Sequence, residues 1–417
     1  MCITSYPAVA SIELTPARPY SGARVLLGVS GGIASYKSAW LARLLTKAGA
    51  TVDVVMTPAA TEFIGAVTFE ALTGRPVHTG LFDPGRALDH IKLAREATAI
   101  VVAPATADFM ARAAAGQAND LLTACLLAAT CPVLFVPAMN DHMWAHPQTQ
   151  KNVEHLRGLE YRVVEPDEGM LAAGEGHGPG RMPEPEVIFS HVGRVLEKTS
   201  NLAGKRILVT AGPTREAIDP VRFISNHSSG KMGVALAESA WRRGADVHLI
   251  AGPLSIAAPA GVEVHKVEST GEMAAAVQGL LPQCDVLVMA AAPADFRPMT
   301  VARSKIKKAN GVVPIELTST PDILKSTKAA RRANAVIVGF ALETDDIVRN
   351  AKSKLASKDL DMIVLNDARE AGAGFGVDTN RVTFLMRDGT EERLPLMPKS
   401  DVADAILDRV ERLIDGR

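Results

Sequence analysis

Three stretches of this chain gather residues able to do chemistry. Pro137-Ala138-Met139-Asn140-Asp141-His142-Met143-Trp144 follows the apolar run PVLFV, and Asn140 offers a neutral amide that could bind a carboxylate. SGGIASYK (30–37) closes a β-branched run and opens a helical stretch. Its small residues Ser30, Gly31 and Gly32 let the backbone approach a ligand, and amides at a helix start favour a phosphate. TAGPTREAIDPVRFISNHSSGKMG (210–233) is the densest of the three, with two hydroxyls, two glycines and a lysine at 228–233. It lacks the GxxxxGK[ST] spacing, which excludes a standard P-loop, and the first turn lacks GxGxxG. An ordinary helix cap at Ser229 would explain one residue of that run and not the rest.

The elements that must position these groups follow from periodicity. RVLLGV (24–29), a helix over 33–48 with Gly49 as its stop, and TVDVVM (51–56) form a βαβ unit. The same grammar recurs as KRILVTAG (205–212), a helix near 231–243, Gly244 as its stop, and ADVHLI (245–250). VVAPATADF (101–109) and VMAAAPADF (288–296) align without gaps. The fold class is therefore α/β, with two doubly wound Rossmann-like domains and mainly parallel sheets. Ligands of such sheets bind beyond the carboxyl ends of the strands. The polar segment EKTSNLAGK (197–205) puts the junction near 200. The expected parts are an extension at 1–22, a domain at 23–190, a linker at 191–203 and a domain at 204–417.

Composition narrows the function classes. A chain of 417 residues is too long for one ordinary core and implies two or three. Lys+Arg at 45 against Asp+Glu at 46 leaves no general field for nucleic acid or anionic lipid, so anionic substrates need local clusters. No stretch approaches the ~18 uncharged apolar residues of a membrane span. The N-terminus does not read as a secretory signal, and 1–22, rich in Ser, Pro and Ala, reads as a poorly ordered extension. Cys2, Cys125, Cys131 and Cys284 form no CxxC pair and no zinc spacing, which suits core thiols in a reducing, cytoplasmic setting.

With these motifs in hand, residues 23–190 resemble the homo-oligomeric flavin-containing cysteine decarboxylases. Within them they look like the decarboxylase half of the bifunctional coenzyme A biosynthesis enzymes. PxMNxxMW is intact at 137–144, with Asn140 and Met143 as substrate contacts, and His90 in DHIKLA matches the family's active-site histidine. Ser30, Gly31 and Gly32, Thr57 in Thr57-Pro58-Ala59, and Thr106 and Ala107 in APATA match its FMN-contacting loops. The resemblance implies that FMN oxidises the CH2–SH of a cysteine-derived substrate so that CO2 can leave. A histidine suits the proton transfer. One departure concerns the flexible clamp, usually G-x-x-A-C-G ahead of GxGR, whose cysteine protonates the enethiol. Here GMLAAGEGHGPGR (169–181) has Ala173 or Gly174 at that position, and Glu175, His177 or water are the alternative donors.

Residues 204–415 resemble the phosphopantothenate–cysteine ligase half of the same enzymes. The resemblance rests on ISNHSSGKMG, on AAAPADFRP (290–298) followed by SKIKKA (304–309), and on TSTPDIL, VGFALET and AKSKLASKDLD. Pro293 stands where a valine is expected. By resemblance Asn226 and Lys305 make and consume an acyl-nucleotide, and Arg222 lies near substrate and a subunit contact. Gly212, Ser229, Gly230, Gly233, Asp295, Thr320, Pro321, Asp322, Ile323, Phe340, Lys354 and Lys358 match nucleotide or substrate positions. Sequence alone leaves CTP and ATP open, while bacterial members use CTP. Mg2+ is expected with the nucleotide, with no all-protein metal site.

The expected substrates are 4'-phosphopantothenate, cysteine and CTP, with neither nucleic acid nor membrane as partner. Flavin domains of the family form trimers and ligases form dimers, so a homo-oligomer, a dodecamer, is expected. Three rival readings remain: a decarboxylase half that stops at the enethiol, a flavin prenyltransferase-like half, and a non-enzymatic flavin-fold regulatory subunit. The intact PxMNxxMW and the fused ligase argue against the second. The ligase half argues against the third.

Overall fold

The computed structural model describes residues 18–82, 87–171, 176–197, 200–307, 314–343, 347–367, 374 and 376–417. The chain divides into two compact units, Met1–Leu196 and Glu197–Arg417.

In the first unit six strands lie in the order Val77–His78, Thr51–Met56, Arg24–Val29, Ala99–Ala105, Val133–Pro137, Arg162–Val163. All are parallel. Alternate residues of one strand serve opposite cores: Val25, Leu27 and Val29 enter one, Leu26 the other. Burial on both faces is why these strands read as continuous apolar runs. The helix Ser35–Lys47 buries Leu41, Ala42 and Leu45 against the first core. Gly49 follows at φ +91°, which stops the helix and turns the chain into the next strand.

The second unit repeats the plan with a larger sheet. Glu263–Lys266, Asp246–Ala251, Arg206–Ala211, Val286–Met289, Val336–Glu343 and Met362–Asp367 run parallel. Val382–Met386 and Glu391–Arg393 extend it antiparallel. Cores again fill both faces. The helix Lys231–Arg242 packs on the C-terminal helix Lys399–Asp415. Asp404, 6% exposed, receives Arg242 Nη2 at 2.5 Å and Ser239 Oγ, with Arg243 Nη2 at 3.4 Å.

The echo between 101–109 and 288–296 ends at Ala-Asp-Phe. After Thr106 the chain enters the helix Ala107–Ala114 and Phe109 is fully buried. After Ala294 it enters the short strand Phe296–Pro298 and Phe296 is 55% exposed. Pro298 accounts for the divergence, since the residue before a proline is pushed out of the helical region.

The expected boundaries need two adjustments. The helix Pro185–Leu196 runs through the first half of the segment assigned to the linker. The extension assigned to 1–22 is packed at its end. Tyr20 is 3% exposed, stacks on Phe189 at 4.0 Å and donates to its carbonyl at 2.7 Å. Residues 1–17 lie outside the described residues. Among the described residues no helix is long and apolar enough to cross a membrane.

Asp404→Ala leaves two buried guanidiniums without their shared acceptor. Glu197 still meets Arg242, and Asp408 and Glu411 still meet Arg243, so the change should cost the second unit about 1–3 kcal/mol. Urea unfolding of the intact chain, followed by hydrogen exchange in each unit, should show only the second unit shifted.

Candidate functional sites

In the first unit three loops meet where the parallel strands end. Ser30, 1% exposed, donates from Oγ to the Pro104 carbonyl at 2.7 Å and accepts from Thr106 N at 3.1 Å. Thr106 caps the helix Ala107–Ala114, accepting from Phe109 N at 3.3 Å. Thr57 caps the turn Pro58–Thr61 in the same way, through Ala60 N at 3.3 Å. A Cβ added at Gly31 would lie 2.4 Å from Ala59 Cβ, so only glycine allows the approach. The structure thus brings Ser30, Gly31, Gly32, Thr57, Thr106 and Ala107 together. Their amides and hydroxyls form a cradle with the chemistry of an anion or polyol site.

The PxMNxxMW loop is fixed from two sides. Asn140 caps the turn Asp141–Ala145, its Oδ1 accepting from His142 N at 2.9 Å, which leaves its NH2 group for a ligand. The hairpin of Asp167–Met170 and His177–Arg181 lies flat on it, with Met139 N donating to Gly180 O at 3.0 Å. A Cβ at Gly180 would fall 2.3 Å from Met139 O. Met143 is exposed, as is His177. Ala173, Gly174 and Glu175 lie outside the described residues.

His90 stands apart from this group. It sits on the helix Asp89–Glu96 in a cavity of about 440 Å3, beside Leu81, Phe82, Ala87, Ile91, Ala118, Ala124, Leu127 and Ala128. None of the flavin-loop residues named above lines that cavity. His90 Nδ1 is buried with no hydrogen-bond partner among the described residues. The surroundings are apolar and open, with Phe82 90% and Leu127 58% exposed. Cys125 and Cys284 are buried, and burial pushes their thiols up to about 12 and about 11, as inert core cysteines require.

The second unit holds a cavity of about 450 Å3 beyond the carboxyl ends of its strands. Its floor is the start of the helix Lys231–Arg242. Gly230 caps that helix at φ +79° with no side-chain acceptor, so Ser229 is not the cap and the first amides face the cavity unpaired by a side chain. A Cβ at Gly233 would lie 2.5 Å from Ala211 Cβ, which lets the helix start close against the strand. Asn226 Nδ2 donates to the carbonyls of Ala292 at 3.1 Å and Pro293 at 3.0 Å, tying two loops. Thr320 Oγ1 donates to Ala294 O at 2.6 Å. Asp322 caps the turn Ile323–Ser326 and pairs with Lys358 at 3.0 Å.

Of the residues expected at this site, Asn226, Ser229, Gly230, Gly233, Asp295, Thr320, Pro321, Asp322, Ile323, Phe340, Lys354 and Lys358 line the cavity. Gly212, Arg222 and Lys305 do not. Gly212 lies behind it, its carbonyl accepting from Ala292 N at 2.9 Å. Arg222, about half exposed, holds its own loop by one edge: its Nε meets Asp219 at 3.0 Å and its Nη2 donates to Ile306 O at 2.7 Å. Asp219, 2% exposed, also accepts from Ile306 N at 3.1 Å. Arg222, with the amides of Val221, Ile306 and Arg222, holds the Asp219 carboxyl well below the usual range. Lys305 is therefore an exposed side chain on a loop pinned at its neighbour. Lys308 lies outside the described residues.

The cavity also contains Lys231, the lysine of the SSGKMG run, and three residues that no motif singled out, Lys399, Asn366 and Asn380. Lys231 and Lys399 each begin a helix, where the dipole disfavours a cation. Lys231 reaches Asp378 at 2.7 Å, and Lys399 reaches Gly374 O at 3.0 Å and Val377 O at 2.5 Å. Burial, and then the charge of Lys231, lowers the Lys399 ammonium below its ordinary value. Asn366 Oδ1 and Asn380 Oδ1 are buried without a partner among the described residues. For Lys399 the available signal was a lysine at the first position of a helix. The two asparagines carried none.

Comparison with known proteins agrees with this division. The family described as Flavoprotein matches residues 13–197. The DNA/pantothenate metabolism flavoprotein C-terminal domain matches 202–413. Proteins named Coenzyme A biosynthesis bifunctional protein CoaBC match nearly end to end. The one from Vibrio cholerae serotype O1 is 46% identical over 391 residues, covering 93% of this chain and 97% of its own. The one from Mycobacterium tuberculosis (strain ATCC 25618 / H37Rv) is 48% identical over 408 residues, covering 94% and 97%. The one from Bacillus subtilis (strain 168) is 46% identical over 394 residues, covering 93% and 97%.

Asp219→Asn keeps the shape of the side chain and removes the charge that fixes Arg222 and Ile306. If that clasp positions the Lys305 loop for chemistry, nucleotide-dependent turnover in the second unit should fall roughly 10- to 100-fold. Flavin content and melting of the first unit should be unchanged.

Proposed function

The chain belongs to the bifunctional coenzyme A biosynthesis proteins, and on that premise we propose how its two units divide the work. It is an enzyme with two activities, phosphopantothenate–cysteine ligase and phosphopantothenoylcysteine decarboxylase. The second unit joins 4'-phosphopantothenate to cysteine. The first decarboxylates the product to 4'-phosphopantetheine.

For ligation, the carboxylate of 4'-phosphopantothenate attacks the α-phosphorus of CTP and pyrophosphate leaves. The cysteine amine then attacks the acyl carbon and CMP leaves. The carrying observation is the cavity at Gly230–Gly233. A helix start without a side-chain cap, together with Lys231, Lys354, Lys358 and Lys399 around one space, suits a triphosphate. Asn226 stiffens the loop at 292–293 beside the reacting phosphate. Lys305 supplies positive charge as pyrophosphate departs. Exposed Asp295, without an ion pair among the described residues, is the carboxylate that would hold a Mg2+ brought in by the triphosphate, which would neutralise phosphate charge there. The unpartnered oxygens of Asn366 and Asn380 suit an exocyclic amine of the base.

For decarboxylation, the cradle of Ser30–Gly32, Thr57 and Thr106 suits the phosphate and ribityl chain of FMN. When bound, FMN would supply the two-electron oxidation of the substrate CH2–SH that makes loss of CO2 feasible and, once reduced, would return the two electrons to the enethiol. Asn140, a neutral donor, orients the carboxylate without strongly stabilising its charge. His90 moves the proton at its ring nitrogen. Of the donors considered for the enethiol, His177 stands exposed on the hairpin beside the Asn140 loop.

The assembly is a homo-oligomer, and a dodecamer of trimers and dimers fits two separate apolar surfaces. One surrounds His90 with exposed Phe82, Leu88, Ile91 and Leu127. The other carries exposed Val221, Phe223, Phe296 and Leu317 on the short ribbons of the second unit. The protein works in the cytoplasm on small molecules.

His90→Asn should abolish CO2 release and leave CTP-dependent ligation intact. Lys305→Gln should lower ligation and spare decarboxylation of added phosphopantothenoylcysteine. Loss of both activities in either folded variant would contradict the division.

A further inference from the structure

We propose that the edge of the second unit's large sheet binds a zinc-class divalent cation through His248, Glu263 and His265. The parallel register sets His248 opposite Glu263 and Ile250 opposite His265. With side chains alternating along a strand, all three groups share one face of the two outermost strands. The histidines are 17 positions apart, which is why no metal spacing is legible in the sequence.

The two ring nitrogens are already at a ligand–ligand separation, and each lies close to one oxygen of the same carboxylate. His248 Nδ1 lies 3.1 Å from His265 Nε2. Glu263 Oε2 is 3.5 Å from the first nitrogen and Oε1 is 3.4 Å from the second. A tetrahedral cation with bonds of about 2.0–2.1 Å has ligand–ligand edges of about 3.3 Å. The two nitrogens span one edge of such a tetrahedron, and one Glu263 oxygen faces each of them. With one donor atom per residue all three lie within 4.8 Å of one another, so a small turn of the exposed carboxylate completes a face and water can take the fourth corner.

A second observation points the same way. His248 is 8% exposed, and its Nε2 is buried with no hydrogen-bond partner among the described residues. Asp246 Oδ2 lies 3.8 Å from that nitrogen. A cation on Nδ1 forces the ring proton onto Nε2, facing this carboxylate, which is how ligating histidines are oriented and made more basic. Two imidazoles and one carboxylate favour Zn2+ over Mg2+ or Ca2+.

The bound ion staples Glu263–Lys266, a strand with a neighbour on one side only, to the rest of the sheet. That strand leads to Thr270, which meets Thr214 Oγ1 at 2.8 Å and Ala294 O at 3.3 Å beneath the nucleotide loop. None of the three ligands lines the nucleotide cavity, so the ion steadies the edge and takes no part in chemistry.

The test uses the full chain stripped with a chelator and titrated with Zn2+ alone, with Co2+ as a spectroscopic probe. One tight equivalent per chain, a tetrahedral Co2+ spectrum displaced by Zn2+ and not by Mg2+, and a Zn2+-dependent rise in melting temperature are expected. His265→Gln and Glu263→Gln should each weaken binding about 10-fold or more and abolish the rise. Glu263 is exposed, so its variant carries the test if His265→Gln fails to fold. Absence of a tight equivalent in the wild-type chain, or equal Zn2+ affinity in wild type and folded variants, would overturn the proposal.

Discussion

Where parallel strands end, their backbone N–H and C=O groups lose their ladder partners, and the loops beyond must be satisfied by something other than the sheet. Both units answer this with buried hydroxyls. Ser30 bridges Pro104 O and Thr106 N in the first. In the second, Thr210 accepts from Ala291 N at 3.1 Å and Thr214 from Ala294 N at 2.9 Å. Thr270 and Thr320 both donate to Ala294 O. These contacts fix the loops that present amides and side chains to ligand. A loop left to water could not hold such groups to within the fraction of an ångström that reactivity demands.

The same constraint separates positioning from chemistry. Arg222 and Asp219 spend their charges on the loop that bears Lys305, and Asn226 spends its amide on the carbonyls at 292–293. Lys231, Lys354, Lys358 and Lys399 line one cavity, where Lys231 and Lys358 rest on Asp378 and Asp322, and burial first and then the charge of Lys231 lowers the Lys399 ammonium. In the first unit the polarity is reversed. His90 lies among apolar groups and the polar cradle lies elsewhere.

Much of this was legible in the sequence because the strands are buried on both faces. RVLLGV and TVDVVM read as strands, Gly49 and Gly244 as helix stops, and SSGKMG as a helix start. The fold class followed from the alternation of elements. What escaped depends on distant residues. The antiparallel strands Val382–Met386 and Glu391–Arg393, the lysine at the start of the last helix, and Asn366 and Asn380 lie on elements whose local pattern carries no motif. Tyr20 escaped because its partner, Phe189, is far along the chain. The matching Ala-Asp-Phe segments concealed a real difference, a helix in one unit and a ribbon in the other, set by Pro298.

The most direct test is the mass of the products formed from 4'-phosphopantothenate, CTP and, in a second stage, cysteine. Before cysteine is added, pyrophosphate and an acyl-cytidylate should appear. After it, CMP, CO2 and 4'-phosphopantetheine should follow. Absence of the acyl-cytidylate would contradict the assignment of the lysine-lined cavity. A final product stopped at the enethiol would contradict a complete decarboxylase in the first unit.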